Sequence, residues 1–315
     1  MALDVLPSCS EASSKVAEPL SGTAIANVEV WLLLEYPGKW EADIAETPLT
    51  AEARAWLDAA AAAVPRSRVL FIRRDRPSRN LSFFIVTSRP ERAVHRFVAR
   101  THDEFSTIDV PAVVANGGAA AAAHGGEPSR PLYLVCTHGK RDLCCAKRGV
   151  AFTHALDNLE LDGEVWQSSH QGGHRFAATM LYLPLGLHYG RLELGDADGL
   201  AAAHARGHVY ESERYRGLTT LPAPQQAAEA WLREQLDERR IDAFELLADG
   251  ATKERSVLTR FRARDGVVHR LTVVESAATT RRIASCDAST ATSFLTYSVV
   301  RHEAALELVD FNFDS

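Results

Sequence analysis

A chain of 315 residues with 46% hydrophobic and 24% charged residues has the balance of an ordinary globular protein, and length enough for two or three domains. A net charge of −6 and a pI near 6.1 exclude a global attraction to nucleic acid or to an anionic membrane surface. No apolar run approaches a membrane span, and the start MALDVLPSCSEASSKVAEPL has neither the basic region nor the continuous apolar stretch of a secretory leader, so neither membrane insertion nor export is expected. The five cysteines are odd in number and clustered. That argues against a disulfide framework and for metal or catalytic thiols in a reducing cytoplasm.

In chain order, VEVWLLLEYPG (28–38) predicts a buried strand ended by Pro37 and Gly38, and AEARAWLDAAAAAV predicts a helix stopped by Pro65. VLFIRR and LSFFIVTS are strand-forming runs split by a polar turn, and RAVHRFVAR is a short element of less defined type. ANGGAAAAAHGGEPSRP (115–131) mixes Gly, Ala and Pro without periodicity and reads as a linker. LYLV then predicts a strand running into a cysteine loop, CCAKRGVAFTHALDNL a helix, EVWQSS a strand running into a histidine loop, and RFAATML a short helix. LYLPLGLHYGRL reads as a hairpin and DADGLAAAHARG as a helix. The helix PAPQQAAEAWLREQLDERR follows, then alternating strands in SVLTRFRARDGVVHRLTVVES with an Asp265-Gly266 turn, and in RRIASCD and TSFLTYSVV. The expected organisation is an α/β unit over 1–114, a linker at 115–130, a second α/β unit over 131–220 and a small α+β appendage over 221–315. Both units run strand, loop, helix, strand, more strands, which hints at a duplicated fold without a residue-level repeat.

The chemistry concentrates in VCTHGKRDLCCAKRG and HQGGHRFAATM, which supply Cys136, Cys144, Cys145, His138, His170 and His174. Thiolates and neutral imidazoles bind zinc and the iron of iron–sulfur clusters, and a tetrahedral set of two sulfurs and two nitrogens suits either. Cys136 is expected at a strand end, Cys144 and Cys145 at a helix start where the dipole favours a thiolate, His170 at a strand end and His174 at a helix start. Two such junctions side by side on one sheet edge would converge on one point. Gly172 and Gly173 let backbone N–H groups approach a bulky centre, which favours a cluster over a bare ion. Cys144 and Cys145 are neighbours whose side chains diverge, so one of them ligates and the other is a small buried thiol. His138 reads as a loop or supporting residue, Cys9 and Cys286 as packing residues within their own units, and Tyr189 and Arg191 as either close to the centre or on a strand face.

CTHGKRDLCCAKRG followed by VWQSSHQGGHRFAATMLYLPLGLHYGRL, with CSEASSKVAEPLSGTA and WLLLEYPGKW upstream, resembles the sucrase/ferredoxin-like family over roughly 5–235. The resemblance implies a thioredoxin-like fold for the second unit and for the first, hence tandem thioredoxin-like domains. It also implies a [2Fe–2S] cluster held by two cysteines eight residues apart and an H-x3-H pair, here Cys136, Cys145, His170 and His174. Such a cluster with neutral imidazoles carries no net charge when oxidised. It is therefore easier to reduce than an all-cysteine cluster, and Rieske centres span about −150 to +300 mV against roughly −400 mV. Its free imidazole nitrogens would couple reduction to pH.

The expected function is electron transfer rather than catalysis, with a protein redox partner and no nucleic acid or membrane. Lys140, Arg141, Lys147, Arg148 and Arg175 around the motifs suit an acidic partner. The alternatives are a thiol-dependent oxidoreductase, although the chain holds no C-x-x-C, and a structural zinc module. The sucrase label implies no activity, since no paired carboxylates are placed for glycoside hydrolysis.

Overall fold

The computed structural model describes residues 8–76, 78–247, 252–253 and 255–306. The fold is α/β. Its first half holds helix α1 (Cys9–Lys15), strand β1 (Val30–Glu35), helix α2 (Ala51–Ala63), strands β2 (Ser67–Arg73), β3 (Leu81–Thr87) and β4 (Ala93–Ala99), helices α3 (Val110–Asn116) and α4 (Gly118–Ala123), and a short strand β5 (Glu127–Pro128). The second half holds β6 (Leu132–Cys136), α5 (Leu143–Asp157), β7 (Glu164–Ser168), β8 (Met180–Leu183), β9 (Leu187–Tyr189), α6 (Asp196–Ala205) and β10 (Tyr215–Leu218).

All ten strands form one sheet in the order β10-β9-β8-β6-β7-β2-β1-β3-β4-β5. The halves repeat one pairing scheme. β1 runs parallel to β2 and antiparallel to β3, while β6 runs parallel to β7 and antiparallel to β8. Helices α2 and α5 lie in the two equivalent crossovers. The halves join through the equivalent strands β2 and β7, paired antiparallel with Ile72 opposite Ser168 and Arg73 opposite Gln167. The tandem arrangement is thus visible in the strand pairing.

The central strands are apolar on both faces because both faces are covered. Along β1, Val30, Leu32 and Leu34 pack into the core beneath α2 and α3, whereas Trp31 and Leu33 face the opposite way. Along β6, Tyr133 and Val135 join the core of the second half, and Leu132 and Leu134 join Trp31, Leu33 and Trp166 in a core common to both halves. The segment read as a linker is not irregular. It holds α4 and β5, Ala121 is buried in the first core, and a Cβ at Gly126 would collide with the Phe97 ring. Alanine's high helix propensity outweighs the glycines there. RAVHRFVAR is a strand, β4. RFAATML is not a helix: one 3-10 turn at His174–Phe176 leads directly into β8.

The appendage consists of α7 (Ala223–Leu236), packed on a sheet of β11 (Phe244–Leu246), β12 (Thr252–Lys253), β13 (Ser256–Ala263), β14 (Val267–Ala277) and β17 (Leu295–Leu306). The β13–β14 turn uses Gly266 at φ +84°, with the Val267 N–H donating to the Asp265 carboxylate. Between β14 and β17 a loop carrying the short strands β15 (Arg282–Ile283) and β16 (Ala291–Thr292) reaches back to α1 and the histidine loop. Among the described residues no helix is long and apolar enough to cross a membrane.

His204, buried in the last turn of α6, stacks on Tyr182 at 4.0 Å and lies 3.0 Å from the Tyr189 hydroxyl. Burial pushes its pKa down to about 3. The unfolded chain therefore takes up the proton first, so this contribution is intact above about pH 6.5 and is lost as the pH falls towards about 3. We predict that His204 alone removes about 2 kcal/mol of stability between about pH 7 and pH 5. Urea unfolding of wild type and His204→Phe at both pH values checks this. An equal pH dependence in the two proteins would contradict it.

Candidate metal centre

The centre lies at the carboxyl ends of the parallel strands β6 and β7, the edge where open α/β sheets place ligands. Cys136 is the last residue of β6, and Cys145 lies in the first turn of α5. Asp142 caps that helix, accepting the Cys144 N–H at 2.9 Å. The close approach of helix to strand depends on Gly149, because a Cβ there would run into the Cys136 carbonyl oxygen. Beyond β7 the chain stays anchored as far as Ser169, whose N–H donates to the Phe71 carbonyl at 2.7 Å and whose hydroxyl accepts the Phe71 N–H at 3.0 Å. His170 follows at once. The join between the two half-sheets therefore fixes the start of the histidine loop.

One ligand atom each from Cys136, Cys145 and His170 lie within 4.8 Å of one another. Cys136 Sγ is 4.0 Å from His170 Nδ1. The His174 ring stacks beside His170 with centroids 5.2 Å apart. His174 Nε2–H donates to the Ala284 carbonyl at 2.6 Å, while its Nδ1 is buried with no hydrogen-bond partner. The H-x3-H spacing thus brings one imidazole, His170, into the tight group with the cysteine pair and stacks the other, His174, against it. His174 reaches this place on a 3-10 turn rather than on an α-helix start.

His138 has both ring nitrogens engaged, Nδ1 accepting the His170 N–H at 3.2 Å and Nε2–H donating to the Glu41 carbonyl at 2.7 Å. It orients the loop, and Trp40 of the first half packs edge-on against its ring. Tyr189 sits in the second core beside His204, away from the centre. Arg191 donates to the Ser13 hydroxyl and the Glu18 carbonyl and tethers the segment after α1.

The electrostatics favour one thiolate in the cysteine pair. A hydrogen bond from Cys145 holds Cys136 well below the usual thiol range against the cost of burial, with His170 adding to the effect. The same shared proton, together with burial, pushes Cys145 up. Burial holds His174 below the ordinary imidazole value.

Several supporting residues carried no motif. Arg216 is buried behind the loop, donating to the Gly172 carbonyl at 3.1 Å, the Thr23 hydroxyl at 3.1 Å and the Thr23 carbonyl. Burial and the charge of Arg175 lower its pKa to about 9. The glycines find their reason here. Gly172 and Gly173 have φ of +85° and +74°, and a Cβ at Gly173 would lie 2.6 Å from Arg216 Nη2. Left-handed backbone and close approach by a guanidinium require them. Glu18, also buried, accepts from Arg175 at 2.8 Å and from Arg282 at 2.7 and 2.9 Å, tying α1, the histidine loop and the appendage together. Pairs so remote in sequence leave no local signal.

An α/β protein with a paired thiol and imidazole centre at the carboxyl edge of a parallel strand pair is the class that fold and site define. The chain belongs to the sucrase/ferredoxin-like family, whose model matches residues 21–217. Among curated relatives it is similar to the Altered inheritance of mitochondria protein 32 of Meyerozyma guilliermondii, 30% identical over 95 residues, and to that of Debaryomyces hansenii, 32% identical over 97 residues. These matches cover 27% and 28% of this chain, and span only about a third of the relatives' own length, 34% and 36%. Among solved structures, a thioredoxin-like [2Fe–2S] ferredoxin from Aquifex aeolicus matches at 13% identity and a TM-score of 0.26, covering 30% of this chain and 96% of that one.

Gly149→Ala tests the geometry without touching a candidate ligand. Forcing α5 away from β6 is expected to cost about 1–3 kcal/mol, in line with overpacked cores, and to separate Cys145 from Cys136. Melting curves together with the metal content of the purified variant check this. A variant with unchanged melting and full metal content would contradict it.

Proposed function

We propose that the chain is an electron carrier that holds one [2Fe–2S] cluster through Cys136, Cys145, His170 and His174. The observation that carries this reading is the state of His174. Its Nε2–H is spent on the Ala284 carbonyl, which leaves Nδ1 as the lone-pair nitrogen, buried and unpartnered on a ring that stacks against His170 of the Cys136, Cys145 and His170 group. A buried acceptor without a donor is costly, and ligation removes that cost. A backbone carbonyl accepting from the other nitrogen is also the usual support for a metal-bound histidine. Two thiols and two neutral imidazoles fit the donor set of such a cluster. When bound, the cluster supplies one-electron redox chemistry.

The protein's own residues hold the site in place and limit solvent access. Cys136 and Cys145 are 1% exposed, so electrons would enter and leave from the histidine side or along α5. Two of the basic residues near the motifs are internally paired, Lys140 with Glu41 and Arg175 with Glu18. Arg141 and Lys147 remain exposed beside Leu143, a large apolar side chain that is 70% exposed. This mixed apolar and basic surface at the start of α5 suits an acidic protein redox partner, and the free thiols suit a reducing compartment such as the cytoplasm.

Protein prepared anaerobically with ample iron is expected to be brown-red, to carry acid-labile sulfide and to lose both in Cys136→Ser and His170→Ala. A thiol oxidoreductase would retain its thiol reactivity in His170→Ala. Protein without labile sulfide, holding zinc that is lost on Cys136→Ser, would contradict the cluster.

A further inference from the structure

Cys144 turns its sulfur away from Cys145 and meets two cysteines from opposite ends of the chain. Its Sγ is 3.5 Å from that of Cys9 in α1 and 3.3 Å from that of Cys286 in the loop after β15, and Cys286 and Cys9 are 3.6 Å apart. Both Asp142 carboxylate oxygens lie 3.6 Å from Cys9 Sγ. One ligand atom from each of the four residues falls within a 4.8 Å group. Cys9, Asp142 and Cys144 are buried, and Cys286 is half-buried. The expectation that Cys9 and Cys286 pack within their own units is therefore corrected.

A tetrahedral ion with metal–sulfur bonds of about 2.3 Å holds its thiolates roughly 3.8 Å apart, close to the spacing already present here. The surroundings resemble a supported ligand set. The Asp142 carboxylate is oriented by the N–H groups of Cys144 and Cys286, both at 2.9 Å, and the Ser10 hydroxyl donates to Cys144 Sγ at 3.4 Å. Three soft sulfurs and one carboxylate in a closed set of four select zinc over magnesium or calcium. A cavity of ≈ 570 Å³ reaches Cys144 and Cys286 from solvent, and Lys147 and Arg148 on its wall offset negative charge. Neither Cys9 nor Cys286 lies within residues 21–217, the part matched by the family model.

We propose that Cys9, Cys144, Cys286 and Asp142 form a second, structural zinc site. Zinc displaces the thiol protons and clamps α1 and the loop after β15 onto the helix that carries Cys145. Asp142 Oδ2 lies 4.0 Å from His174 Nε2, and Ala284, which accepts from His174, is two residues from Cys286. The clamp thus also fixes the partner that orients His174.

The test is metal analysis of the full-length holoprotein and four variants. About one zinc equivalent per chain is expected in the wild type, falling to near zero in Cys9→Ser and Cys286→Ser. Cys286→His, which keeps a ligand, should retain zinc and guards against loss through misfolding. Cys136→Ser should lose iron and keep zinc, so this proposal and the cluster reading fail separately. Cobalt(II) added to zinc-stripped protein should give the visible bands of a tetrahedral thiolate site in wild type and not in Cys286→Ser. A holoprotein without zinc, zinc unaffected by Cys286→Ser, or a Cys144–Cys286 disulfide found by mass spectrometry would overturn it.

Discussion

The contact between Gly149 and the Cys136 carbonyl is the constraint on which the rest of the site depends. It lets the first turns of α5 approach the end of β6 closely enough to bring Cys145 to Cys136. Asp142 then fixes where the helix begins, because its carboxylate accepts from the Cys144 backbone and from Cys286 of a distant loop. Consecutive helical residues point about 100° apart, so fixing the start sends Cys145 to one centre and Cys144 to the other. A doublet of cysteines thereby divides between two side-chain groups.

The histidine half of the centre is positioned by different means. Ser169 is bound into the join between β2 and β7, so the first half of the chain takes part in placing His170 although it contributes no member of the Cys136, Cys145 and His170 group. The first half also holds His138 in place through Trp40 and Glu41. On the other side, Arg175 and Arg282 converge on the buried carboxylate of Glu18. Buried ion pairs contribute little net stability against burial of apolar groups, but losing one partner leaves a costly uncompensated charge. Their role here is to specify how three remote segments meet. The appendage is therefore part of the centre's architecture through Arg282, Ala284 and Cys286.

Much of this was legible in the sequence, and for identifiable reasons. β1 and β6 announce themselves as short apolar runs because both faces of a central strand are buried, and α2 follows from helix propensity with Pro65 as its stop. The convergence of Cys136, Cys145 and His170 was readable because strand ends and helix starts on one sheet edge are neighbours in any such fold. Other features were hidden. ANGGAAAAAHGGEPSRP looks like a linker by composition, yet its alanines form a helix once Ala121 has a core to enter. RFAATML has helical composition, but pairing of Met180–Leu183 with β6 overrides it. The glycines of HQGGH were read as making room for a bulky centre; both take positive φ, and Gly173 also makes room for Arg216, which approaches from behind. The bond of Arg216 to Thr23, that of Arg282 to Glu18 and the gathering of Cys9 and Cys286 at Cys144 are contacts across more than a hundred residues, which no local pattern encodes.

The central claim is that two imidazoles complete a centre begun by Cys136 and Cys145. Pulsed EPR on the chemically reduced holoprotein, with nitrogen-15 incorporated only in histidine, addresses it most directly. The account predicts two coupled imidazole nitrogens on an iron-centred signal, one of them lost in His174→Ala. A reduced protein with no iron-centred signal, or with a signal free of histidine nitrogen coupling, would contradict it.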